Sequence, residues 1–94
     1  MIKNTLADKS VNKNRREYSQ KFAEAFSLTQ REREVFERLI STEESVQEMA
    51  DVLYMSRRTL QRYIASIYEK TGTKSRLGLY RLYVDYVAEP QIYE

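Results

Sequence analysis

The sequence predicts an all-α domain, and three observations carry that prediction. Leu, Glu, Arg and Lys are plentiful while the 94 residues hold only 2 Gly and 1 Pro, a composition that suits helices and not a turn-rich β fold. Apolar residues recur at three- and four-residue spacing from Tyr18 onward, with no alternating run that would make a strand. A Ser or Thr stands in N-cap position ahead of each such stretch from Thr29 to Ser75. A chain of this length allows one small core.

The elements follow in order. Residues 1–14, MIKNTLADKSVNKN, are polar and aperiodic and read as a flexible arm or linker. Tyr18, Phe22, Ala25 and Phe26 mark a short amphipathic helix over about 15–26, which either packs on the domain or ends a linker helix from a neighbouring unit. Thr29-Gln30-Arg31-Glu32 is a capping box: the Thr29 hydroxyl accepts from the Glu32 amide, and the Glu32 carboxylate accepts from the Thr29 amide. Val35, Phe36, Leu39 and Ile40 line one stripe of the helix it starts, over about 30–41. Ser45-Val46-Gln47-Glu48 repeats the box. Val46, Met49, Ala50 and Leu53 then fall at i, i+3, i+4 and i+7 of a two-turn helix over about 46–53. Ser56 caps a helix over about 57–71 whose core positions are Leu60, Ile64, Ile67 and Thr71, stopped by Gly72. Ser75 caps the last helix, over about 76–88, apolar nearly all round and ended by Pro90, with a tail over 89–94. The domain proper spans about 28–88.

Composition excludes most chemistry. Without Cys there is no disulfide framework, thiolate zinc site or thiol nucleophile, and without His the commonest general base and metal ligand are missing. No catalytic constellation remains, so neither an enzyme nor a cofactor or metal is expected. No apolar run approaches the roughly 18 residues of a membrane helix, so no membrane contact is expected.

The net charge of +2 hides a segregation. Residues 34–56 hold one Arg against six acids, whereas residues 57–81 hold seven Lys/Arg against the single acid Glu69. A basic block beside an acidic one can steer a polyanion to one face. Within residues 46–71, only Tyr54 and Met55 separate two helices, so these must cross steeply, as in a helix-turn-helix. Ala50 is small enough for their close approach. Tyr54 stands where glycine often sits, so the turn has to be made without glycine's φ > 0 freedom.

Rotation about the 57–71 helix separates core from surface. With Leu60 at zero, Ile64, Ile67 and Thr71 lie at about 40°, 340° and 20°. Arg58, Gln61, Arg62, Ala65, Ser66 and Glu69 lie between about 100° and 240°, on the opposite side. From a helix in the major groove, Arg can bridge guanine O6 and N7, and Gln can bridge adenine N6 and N7. Arg58, Gln61, Arg62, Ala65 and Ser66 are therefore the expected base-reading set. Arg57, Thr59 and Lys70 edge this face as candidate phosphate contacts. Lys74, Ser75 and Arg76 surround the start of the next helix, where free amides and a positive dipole end suit an anion.

These residues carry a resemblance. The stretch from Leu28 to about Tyr83 resembles the LuxR/GerE-type DNA-binding domain in its opening LTQREREVF, its SVQEMADVL helix, the MSRRTL start of the recognition helix and the IYEKTGTKSR segment. MSRRTLQR also looks like an AraC-type recognition helix, and LTQREREV echoes sigma-factor region 4, but neither explains the TKSR ending. The LuxR/GerE resemblance implies a four-helix domain of bacterial, cytoplasmic transcription regulators, with the recognition helix in the major groove of double-stranded DNA. Base contacts would map onto Gln61, Arg62 and Ala65, and phosphate contacts onto Thr59, Lys70 and Ser75 or Arg76. It also implies a homodimer through the last helix, for which Leu79, Tyr83 and Tyr86, or a neighbouring set with Tyr80 and Leu82, are candidates unless the amino-terminal helix, with Tyr18, Phe22 and Phe26, covers this face within the same chain, and RNA polymerase as a further partner. The alternative is a helical adaptor whose basic face meets an acidic protein.

Overall fold

The computed structural model describes residues 17–92, with side chains to residue 88. These residues form five helices and no strand: α1 (17–25), α2 (Gln30–Ser41), α3 (Val46–Val52), α4 (Arg57–Thr71) and α5 (Arg76–Ile92). The expected arm over 1–14, the start of the first helix and the end of the tail lie outside the described residues. Among the described residues, no helix is long and apolar enough to cross a membrane.

The caps explain where the helices begin. Thr29 Oγ1 accepts from the Glu32 amide at 3.1 Å and Glu32 Oε1 accepts from the Thr29 amide at 2.8 Å, closing the box that starts α2. Ser45 and Glu48 close the same box at α3. Ser56 Oγ accepts from the Thr59 amide at 3.0 Å, and Ser75 Oγ from the Gly78 amide at 3.0 Å.

Three helices end in one motif. At α4 the Gly72 amide reaches Glu69 O and the Thr73 amide reaches Tyr68 O, with Gly72 at φ 70°. The same pair of bonds closes α1 around Ser27 (φ 58°) and α3 around Tyr54 (φ 55°). The helix-turn-helix turn is thus a left-handed cap that a tyrosine adopts, at the cost a side chain pays there and glycine does not.

One boundary differs from expectation. α5 does not stop at 88 but runs through Pro90 to Ile92. Proline withholds its own N–H from the carbonyl four residues back, and near the end of a helix this removes one bond without obliging the chain to turn.

Phe22, Val35, Phe36, Leu39, Met49, Ala50, Leu60, Ile67 and Leu79 form the core. Ile40, Val46, Leu53 and Ile64 pack against it half-buried. α4 lies on both α2 and α3, and α5 lies on α2. The described part of the first helix packs on the domain. Phe22 is fully buried, stacked on Phe36 at 4.6 Å and met edge-on by Tyr83 and Tyr86. Ser19 donates to Glu37 at 2.7 Å and completes the α1–α2 seam.

Candidate nucleic-acid interface

Leu60, Ile67 and Thr71 point α4 into the core, and this fixes what its other side presents. Arg57, Arg58, Gln61, Arg62, Ala65 and Glu69 are all exposed. None of the three arginines has an ion pair or hydrogen bond among the described residues. Over 15 residues α4 is about 22 Å long, enough to lie along a major groove with Arg58, Arg62 and Ala65 on one row. Thr59, with its hydroxyl accepting from Ser56 Oγ at 2.9 Å, is exposed at the start of the helix. Lys74 and Ser75 are exposed before α5, where the Ser75 hydroxyl already caps Gly78.

Three expected contacts stand elsewhere. Ser66, at the rim of the outward face, is turned inward and donates to Glu32 Oε2, so its hydroxyl is withdrawn from base reading. Lys70 donates to Glu32 Oε1 at 2.7 Å and to the Ser27 carbonyl at 3.1 Å, so its ammonium closes the end of α1 instead of standing free for a phosphate. Arg76 is withdrawn from the phosphate set altogether. Its Nε donates to Leu39 O at 2.7 Å, Nη1 to Glu44 O at 2.5 Å, and Nη2 to the carbonyls of Arg38 and Thr42. The carbonyls of Arg38 and Leu39 belong to the last turn of α2, which carries the negative dipole end and in which the Thr42 amide already reaches Arg38 O at 3.2 Å. Arg76 is therefore the cap of α2, supplied from α5.

The Glu32 carboxyl holds this side of α4 in place. Burial pulls its pKa up, but the bonds from Lys70, Ser66 and Thr29 and the charge of Lys70 outweigh that and hold it at about 2. At the α2 end, the hydrogen bond from Arg38 keeps the Glu44 carboxyl below its ordinary range. Neither the second role of Glu32 nor the capping role of Arg76 has a local sequence signal, because the partners lie more than 30 residues away. The one hint was the pairing of Ser66 and Lys70, four apart on a single flank.

The expected dimer set divides by face. Leu79 is fully buried and unavailable for a subunit seam. Leu82, Tyr83 and Tyr86 are half-buried against the core, the last two against Phe22 of α1, and the Tyr86 hydroxyl reaches the Lys21 carbonyl at 3.4 Å. For Tyr83 and Tyr86 this is the alternative the sequence offers, cover by the first helix within the same chain. Tyr80 is exposed, together with Leu77 and Val84 on the same stripe. Tyr80 and Val84 also line a cleft of about 260 Å³ against Ile40 and Ser41.

Residues 26–83 match the family model described as bacterial regulatory proteins, luxR family. The spore germination protein GerE of Bacillus subtilis (strain 168) is 41% identical over 49 residues, covering 52% of this chain and 65% of that protein. The chain thus spans less than two thirds of the length of that relative. No solved structure gives a significant match. α1 lies before the matched segment.

Proposed function

Because the chain belongs to the LuxR family of bacterial regulatory proteins, we propose that it binds double-stranded DNA sequence-specifically and regulates transcription. α4 enters the major groove, with Arg58, Gln61, Arg62 and Ala65 toward base edges and Arg57, Thr59, Lys74 and Ser75 toward phosphates. The supporting observation is the exposed row of unpaired guanidinium groups on the outward flank of α4, while the nearby Lys70 and Arg76 are engaged within the fold. Arginine's fork matches guanine O6 and N7, and the small Ala65 lets the backbone come close.

The same reading pairs two copies through the exposed stripe of α5, Leu77, Tyr80 and Val84, where rigid amphipathic tyrosine suits a subunit contact. A two-fold pair would read two related half-sites. Selection of bound duplexes from a random pool tests all of this together. The expected result is a recurring, two-fold symmetric sequence whose affinity falls steeply with salt as counterions are released. A pool that stays random, or no duplex binding at moderate salt, as the adaptor alternative predicts, overturns the reading.

A further inference from the structure

We infer that Glu32, a buried carboxylate that touches none of Arg58, Gln61, Arg62 and Ala65, is the positioning residue that sets the roll and register of α4 and thereby its base preference. This rests on the DNA-reading function proposed above. Apolar packing through Leu60 and Ile67 holds α4 on α2 and α3, but it is non-directional and tolerates rotation. Directional restraint comes from hydrogen bonds, and on the flank of α4 facing α2 two converge on one side chain. Ser66 Oγ donates to Glu32 Oε2, and Lys70 Nζ, one turn further on, donates to Oε1 at 2.7 Å. Two bonds a turn apart onto a single carboxylate define both rotation about the helix axis and translation along it.

The carboxylate is itself held from behind. Glu32 is 5% exposed, and the Thr29 amide donates to its Oε1 at 2.8 Å as part of the α2 cap. The first turn of α2 is therefore tied through one residue to the middle of the recognition helix. Ser66 lies next to Ala65 and one turn after Arg62, so any roll that moves Ser66 off Glu32 moves both base-facing positions by a similar amount. A supporting shell loosened by about 1 Å is enough to lose a bidentate contact.

Glu32→Gln tests this, because glutamine keeps the acceptor for the Thr29 amide but loses the charge that Lys70 meets. Affinities are measured for a selected duplex and a random-sequence duplex across a salt series. The variant is expected to lose about tenfold in the ratio of the two, while random-duplex affinity and salt slope stay within about twofold of wild type. Should Glu32→Gln not fold, Lys70→Met provides the same test. It is expected to lower the ratio about threefold with an unchanged salt slope, and Lys70→Arg to restore it. An unchanged ratio, or equal losses on both duplexes as from a reduced folded fraction, overturns the inference. Wild-type protein with no preference among duplexes overturns the DNA-reading proposal itself, and the two failures are thus distinct.

Discussion

Two sets of cations on this molecule look alike in sequence and do opposite things. Arg31, Lys70 and Arg76 each reach the carbonyl end of a different helix: Leu53 O after α3, Ser27 O after α1, and the last turn of α2. Their donors close ends that backbone alone leaves open. Arg57, Arg58, Arg62 and Lys74 have no such partner among the described residues and project outward. A basic block is therefore not itself a binding surface. What separates the two sets is whether the chain already supplies acceptors, and the second set keeps all its donors for another molecule.

Substitutions can break or sharpen that contrast. The largest effect is expected from Arg76→Ala, which removes the side-chain donors to the Leu39, Thr42 and Glu44 carbonyls at the α2–α5 junction. Denaturant unfolding should show a loss of about 3 kcal/mol, while the folded protein keeps its salt slope for duplex binding. A reduced slope would move Arg76 back to the phosphate set. Next comes acid. Glu32 titrates at about 2 in the fold against an ordinary 4.5, so its contribution is complete above pH about 4.5 and disappears as pH falls through about 2. Unfolding followed over that window should lose on the order of 3 kcal/mol, and Glu32→Gln should flatten this part of the profile.

Arg62→Ala belongs to the outward set and should reverse the pattern of Arg76→Ala. Binding to a selected duplex should weaken by about 1–3 kcal/mol with relaxed sequence preference, and stability should stay within about 0.5 kcal/mol. The smallest effect is at the turn. Tyr54 is 95% exposed and sits at φ 55°, so Tyr54→Gly should stabilise the fold by up to about 1 kcal/mol, read as a higher denaturation midpoint with unchanged duplex affinity.

The local structure was legible in the sequence because its causes are local. Both capping boxes, the Ser56 and Ser75 caps and the Gly72 stop act across three or four residues, and each is found in the fold. The outward row of α4 was legible for the same reason, since rotation alone separates Arg58 and Arg62 from Leu60 and Ile67. What rotation cannot give is the neighbour. Rotation alone turns Ser66, at the rim, outward, yet Glu32 draws it in. Arg76 opened a helix, as anion-binding residues do, yet α2 ends against it. On α5, an almost wholly apolar helix, periodicity left its faces open, and it took α1 to cover Tyr83 and Tyr86 and leave Tyr80 exposed.

Major-groove reading by α4 is tested most directly by removing one acceptor atom from the DNA. In a selected duplex, each guanine is replaced in turn by 7-deazaguanine, and affinity is measured for wild type, Arg58→Ala and Arg62→Ala. The expected result is a guanine at which loss of N7 weakens wild type about tenfold but no longer weakens one of the two variants. Losses that simply add, guanine by guanine, for both arginines would contradict it.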